Sequence, residues 1–257
     1  MRKSPGFSLI EMAFVLVIIT LLLGGLLVPF TTQVEQRRIT ETNKAMEEIK
    51  EALLGYALSH SSTSTPSQPY LPCPDAIGVT SGTNAPNDGL EDRNAGSSAC
   101  DQAEGNLPWA TLGVGNQDAW GNRFHYSVYP TFSNSAIGFG LSTSANIDVC
   151  SVASTSSTAC NPTNTTIANN VPVVVVSFGK NGYGALNSNS AGVRNIAPPA
   201  ANLDEIANQP AATGTHLIFV SRTLTLPGAG KTEFDDLVAW LSPNILFNRM
   251  VAAGKLP

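Results

Sequence analysis

The chain has 257 residues and a formal net charge of −5, with only 13% charged residues. That length allows one or two domains. The negative balance argues against nucleic acid as a partner, because phosphate contacts need a basic patch. Abundant Ser, Thr, Asn and Gly suit an exported, loop-rich β domain better than a cytosolic enzyme.

The first element is the most informative. A short leader carrying Arg2 and Lys3 precedes Gly6-Phe7-Ser8-Leu9-Ile10-Glu11, and no charged residue follows from Met12 to Val34. At 1.5 Å per residue this uncharged run makes a helix of roughly 34 Å, enough to cross the hydrocarbon core of a bilayer. A cleaved secretory signal peptide fits poorly: the apolar run is too long for an h-region, and no A-x-A-like site follows it. A retained signal anchor fits better, with Arg2 and Lys3 holding the N-terminus in the cytoplasm. It leaves Glu11 unexplained, since a carboxylate in a membrane helix is costly and points to function.

The hexad Gly6 to Glu11, with its basic leader and apolar continuation, closely resembles the processing site of the type IV prepilin family, which includes the pseudopilins of type II secretion. The resemblance covers about the first thirty residues. It implies cleavage between Gly6 and Phe7 by a prepilin peptidase/methyltransferase and N-methylation of Phe7. It also implies a filament-assembly role for Glu11, whose carboxylate would pair with the Phe7 amine of a neighbouring subunit so that each offsets the other's desolvation. Further implied partners are other pilin-like subunits, an inner-membrane platform protein and an assembly ATPase. Cleavage would remove Arg2 and Lys3, shifting the net charge from −5 to −7.

Beyond the apolar run, residues 33–60 read as an amphipathic helix. Ile39, Met46, Ile49, Leu53 and Tyr56 share one face. The predicted organisation is a leader at 1–6, a transmembrane or filament-core helix at 7–34, its amphipathic continuation at 35–60, and a periplasmic or extracellular globular domain at 65–257. Residues 61–68 (SSTSTPSQ) read as a linker. The segment from Tyr70 to Asp75 is too proline-rich for a helix, and residues 87–96 (NDGLEDRNAG) form an acidic loop. Asp118-Ala119-Trp120-Gly121-Asn122 leads into a strand from Phe124 to Tyr129. This Asp-x-Trp-Gly-Asn element and its aromatic strand resemble a segment of the major pseudopilins. Gly121-Asn122 supplies a turn, with Trp120 as an apolar anchor.

Residues 142–170 read as a long polar loop or hairpin, Val171–Phe178 as a buried strand, and His216–Leu224 as another. Thr232 and Asp235 look like a capping box opening a helix through Leu237, Val238 and Leu241. Ser242-Pro243 opens a second helix ending near Gly254. The expected fold is α+β and pilin-like: a long N-terminal α-helix packed on an antiparallel β-sheet, with disulfide-containing loops and short C-terminal helices.

The four cysteines, Cys73, Cys100, Cys150 and Cys160, contain no C-x-x-C, which leaves zinc and thioredoxin-like readings little support. In an exported domain two disulfides are the default. Of the three pairings, the chain-local one, Cys73–Cys100 with Cys150–Cys160, would close two polar loops.

No catalytic site is legible. Gly228 to Thr232 matches only the end of a phosphate-binding loop pattern, because the glycine required at 225 is Thr225. Ser177 lacks the flanking glycine of a nucleophile elbow. His60, His125 and His216 show no metal-ligand spacing, and His125 alternates with the apolar face of its strand, which places it at a rim. No cofactor is expected except through the resemblance, which implies a calcium ion in a loop. Asp88, Glu91, Asp92 and Asp118 could offer oxygens, but a solvated acidic turn accounts for them as well, and no metal ligand is assigned.

The expected function is that of a structural filament subunit, not an enzyme. It is anchored in the bacterial inner membrane with its domain in the periplasm. A type II secretion pseudopilin is favoured by the Asp118 to Asn122 element. A major or minor type IV pilin, serving adhesion, motility or DNA uptake, is the alternative. A membrane-anchored periplasmic binding protein is the reading from another class.

Overall fold

The computed structural model describes residues 6, 8–78, 85–187, 192–210, 215–226, 228 and 232–257, with the side chains of residues 23–30 outside the description. Phe7 lies outside it, as does most of the stretch 227–231. The chain divides into two units, Met1–Glu41 and Thr42–Pro257. Helix α1, Leu9–Ser59, supplies the described part of the first and enters the second.

In the first unit every described side chain from Ser8 to Leu22 is exposed. Among the described residues no helix is long and apolar enough to cross a membrane. The expected transmembrane segment falls partly on residues 23–30, outside the described side chains.

The second unit is built in layers. Its first sheet has the order β1-β2-β5-β7, from Glu104–Asn106, His125–Val128, Val173–Ser177 and Leu237–Leu241. All three pairings are antiparallel. The second sheet has the order β4-β3-β6, from Thr166–Val171, Ile147–Cys150 and Ile218–Val220. There β3 pairs antiparallel with β4 and parallel with β6, while the sheet that shares its core with α1 is antiparallel throughout, as expected.

The period-2 alternation of strands sorts the core. Tyr126, Val128, Val173, Val175 and Leu241 join Met46, Ile49, Leu53 and Ala57 of α1 in one cluster. Val174, Val176 and Phe178 join Ile147, Val149 and Phe219 of the second sheet in another. Strand β5 therefore feeds both cores, which is why its run of valines is apolar on both faces.

The corrections concern the loops. Leu237–Leu241 is not a helix but β7, paired along its length with β5. Its apolar residues suit either period, and the edge of β5 takes them as a strand. One ten-residue C-terminal helix, Pro243–Ala252, follows with Pro243 at its start. The polar stretch 142–170 contains β3 and most of β4, and Ile147 and Val149 are fully buried. The expected linker is tied down by a Ser61–Pro69 bridge and a Ser62–Gln68 backbone bond. The proline-rich segment is extended and buried from Leu71 to Ala76. It bridges through Asp75 to Asn106 of β1, covering an otherwise open edge strand.

Both disulfides are chain-local: Cys73–Cys100 with Cα atoms 5.2 Å apart, and Cys150–Cys160 with Cα atoms 5.6 Å apart. The first pins the extended segment to the stretch just after the acidic loop. The second closes the Ser/Thr-rich loop after β3.

Candidate functional site

The N-terminal segment combines two features that conflict in water. Eleven large apolar side chains between Leu9 and Leu22 are exposed, among them Leu9 (89%), Phe14 (65%) and Leu21 (71%). Burying each would stabilise by roughly 1.5–3 kcal/mol. Within Ser8–Leu22 the only charged residue is Glu11. Such a surface calls for an apolar environment, lipid or other helices, on every side.

Glu11 closes the helix start. The Ser8 amide donates to Glu11 Oε2 at 2.9 Å, and the Glu11 amide donates to Ser8 Oγ at 3.3 Å. This reciprocal pair is a capping box, which satisfies two of the orphan amides at a helix N-terminus. Its sequence signal, Ser-x-x-Glu at 8–11, lies inside the longer motif and shares its glutamate. Gly6 is exposed just ahead of the cap.

In the globular unit, the residues singled out from sequence are tied into the structure. Glu91 accepts from the Tyr56 hydroxyl of α1 at 2.9 Å and from the Cys73 amide at 3.0 Å, and it pairs with Arg93 at 2.9 Å. It thereby links the helix, the first disulfide and the acidic loop. Asp92 accepts from the Ala76 amide at 2.9 Å, and Asp88 from the Leu90 amide at 2.8 Å. Asp118 is buried and accepts from the amides of Trp120 and Asn122, both at 2.9 Å, and from the Ser177 hydroxyl of β5 at 2.7 Å. Gly121 takes φ 91° in that turn, a conformation open to glycine. The Asp-x-Trp-Gly-Asn element is thus a lock that fastens a turn to the end of β5. Asp88, Glu91, Asp92 and Asp118 do not converge as a set of metal ligands.

His125 needs correcting: it is 3% exposed, not at a rim. Its Nε2 lies 3.3 Å from Glu104 Oε2 on the neighbouring strand, and His216 Nδ1, just before β6, lies 3.6 Å from the same oxygen. A buried carboxylate therefore joins the first sheet to the lead-in of the second. Burial alone would raise the Glu104 carboxyl, but the two nearby imidazoles outweigh it and hold it at about 2, while burial pushes the His125 imidazole below its usual range. No sequence signal marked Glu104, whose partners lie 21 and 112 residues further along the chain. His60 stacks on Tyr56, ring centroids 3.8 Å apart.

Comparison with known families matches residues 1–27 to the prokaryotic N-terminal methylation motif. This is the type IV prepilin-like signature, and it coincides with the exposed apolar helix and the Ser8–Glu11 cap. It supports a pilin-like subunit processed by a prepilin peptidase and assembled with other such subunits, and it points to a structural protein. No curated protein and no solved structure gives a significant match to the chain.

Proposed function

We propose that this chain is a structural subunit of a pilin-like filament in a bacterial envelope, and within that class a type II secretion pseudopilin. The observation that carries the filament reading is the exposed, uniformly apolar helix surface with Glu11 as its single charge. The Asp118 to Asn122 lock, which resembles a pseudopilin segment, favours the secretion assignment over a pilus.

The subunit waits in the inner membrane with its domain in the periplasm. A prepilin peptidase cuts between Gly6 and Phe7 and methylates the new Phe7 amine. A platform protein and an assembly ATPase then draw the helix out of the lipid. In the fibre, apolar helices pack against one another, and the Glu11 carboxylate pairs with the Phe7 amine of a neighbour. An unpaired buried charge is costly, so this pairing sets the register.

The Ser8–Glu11 cap makes the test selective. Glu11→Gln keeps a capping-box residue but removes the charge. In the native host, Glu11→Gln is expected to be cleaved and methylated normally, by intact mass, yet to be absent from filaments. Normal incorporation of Glu11→Gln would overturn the pairing. For wild type, loss of residues 1–6 plus one methyl group is expected, with the processed chain confined to the envelope. Abundance in sheared extracellular filaments would favour a pilus subunit instead, and an unprocessed chain would mean a signal anchor.

A further inference from the structure

Strand β6 is tied to the first sheet at both of its ends, by different chemistry. At its start, Glu104 Oε2 of β1 is shared between His125 Nε2 of β2 at 3.3 Å and His216 Nδ1, two residues before β6, at 3.6 Å. At its end, Val220 makes two bonds to one side chain: its amide donates to Asn208 Oδ1 at 2.7 Å, and its carbonyl accepts from Asn208 Nδ2 at 3.0 Å. The same Nδ2 donates to Asp236 Oδ2, just before β7, at 2.9 Å. Asp236 belongs to a second group of buried acids, with Glu205 and Asp235. One oxygen from each lies within 4.8 Å of the other two. Asn181 donates to Glu205 Oε1 from its side chain at 2.9 Å and to Asp235 Oδ2 from its amide at 2.7 Å.

The two ties differ in how well they are matched. At the end of β6, Asn208 is 0% exposed and its bonds to Val220 join neutral groups. The Ser221 amide adds a bond to the carbonyl of Cys150, itself held by a disulfide. At the start, Glu104 is 7% exposed and His125 3%. Yet both Glu104 oxygens, both His125 nitrogens and His216 Nδ1 lack a well-aligned hydrogen bond. Attraction to the carboxylate holds this end, and buried polar atoms so placed are costly. Acting on His125 are Glu104, which favours its protonation, and Arg194 and His216, which oppose it. Arg194 comes from the loop after β5, where it bridges to Leu186. The rings beside the two histidines, Phe178 and Phe219, are uncharged.

We propose that the start of β6 is an acid-operated latch: a proton taken up by His125 frees His216 and the lead-in to β6 from Glu104, while Val220 stays fixed as the pivot. In the closed latch one carboxylate oxygen serves both imidazoles. A protonated His125, on the strand paired with β1, draws the carboxylate's charge into the first sheet and stands as a like charge to His216 and Arg194. His216, whose side chain is 14% exposed against 2% for His125, is the one that can turn out to water. Its departure uncovers Phe219, whose ring centroid lies 4.3 Å away, and loosens the 2.8 Å bond from the Asp148 amide to the Leu217 carbonyl. Burial lowers the His125 imidazole from its ordinary 6.5, so the latch is closed at neutral pH and opens in acid. The second sheet thereby presents an apolar edge only in acid. No residue of the N-terminal helix takes part, and the device is independent of the filament reading.

The test is hydrogen–deuterium exchange of the full-length protein in detergent at about pH 7.5 and about pH 5, with each rate referred to the intrinsic rate at that pH. Protection of Asp148, Ile218 and Phe219 is expected to fall on the order of tenfold in acid, while that of Val173–Ser177 changes by less than about twofold. His125→Gln, which cannot take up the proton, should keep its protection in acid. His216→Gln, which carries no charge to be expelled, should do the same, and it carries the comparison if His125→Gln does not fold. Equal protection of the wild type at both pH values overturns the proposal. So does a full acid response in the variants that fold, because another group is then the trigger. An equal fall in Val173–Ser177 overturns it too, because that marks general acid unfolding instead of a latch.

Discussion

The two units of this chain manage apolar surface in opposite ways. From Met46 onward the helix buries its stripe: Met46, Ile49, Leu53 and Ala57 are all at most 2% exposed within the unit that contains them. Between Leu9 and Leu22 the same helix leaves its apolar residues exposed all round. A stripe is the mark of a helix completed by its own domain, whereas an apolar cylinder is completed only by lipid or by other molecules. The polar groups differ likewise. In the globular unit carboxylates are tied to distant segments, as Glu91 is to Tyr56 and Asp118 to Ser177. In the N-terminal unit the described contacts are local, i to i+3 or i+4, as in Ser8–Glu11 and Arg37–Glu41. One unit is built for stability and the other for assembly.

Two phenylalanines put that contrast to its sharpest test. Phe132 is 0% exposed, with its ring centroid 5.2 Å from that of Phe139 and 6.2 Å from that of Phe247. Phe132→Ala should cost about 3–5 kcal/mol and lower the Tm of the full-length protein in detergent by on the order of 10 °C. Phe14, 65% exposed, should change stability by under about 0.5 kcal/mol when replaced by Ala, yet reduce incorporation into filaments. Equal destabilisation by the two substitutions would break the division of labour.

Inside the globular unit the two buried charge clusters respond to pH in opposite senses. The folded Glu104 carboxyl, at about 2, lies below its ordinary 4.5, and His125 is also lowered from 6.5. Their contribution is present at neutral pH and is lost as pH falls, first below about 6.5 and then through about 4.5 to 2. Arg194 and His216 are the other charged or titratable groups acting on that pair. Glu205 and Asp235 are raised to about 7 and about 6. Their contribution is fully present below the unfolded pKa of about 4 and is lost as pH rises through 6–7. Glu104→Gln should cost about 1–3 kcal/mol at pH 7 and flatten the acid limb of the stability curve. Glu205→Gln should flatten the loss between pH 4 and 7. An unchanged acid limb in Glu104→Gln would remove the inter-sheet clasp from the account.

What could be read in advance follows the range of the interactions. The methylation motif, the helical stripe, the β5 valines and the Trp-Gly turn are local patterns, and local patterns survive in a one-dimensional string. The strand at Leu237–Leu241 looked helical because Phe234, Leu237, Val238 and Leu241 also fit a 3.6-residue period, and only the free edge of β5 decides between them. Ile147 and Val149 were hidden by a Ser/Thr-rich context whose apolar content is confined to alternate positions. Glu104 with its two histidines, and Glu205 with Asp235 and Asp236, are assembled from segments tens of residues apart, so no spacing announces them. The Ser8–Glu11 box is local too, a Ser-x-x-Glu pattern that shares its glutamate with the methylation motif.

That double role allows a smaller and more discriminating experiment. Ser8→Ala removes the acceptor for the Glu11 amide but leaves the Ser8 backbone amide free to donate to Glu11. The helix start should loosen by about 0.5–2 kcal/mol, seen as faster amide exchange over the first turn with no change in the Tm of the globular unit. The carboxylate stays charged and free to meet a neighbouring amine, so Ser8→Ala should still enter filaments, at reduced yield, where Glu11→Gln does not. The two variants separate the helix cap from the charge. If Ser8→Ala blocks assembly as completely as Glu11→Gln, a well-formed first turn is what the fibre requires, and the carboxylate acts within its own helix rather than between subunits.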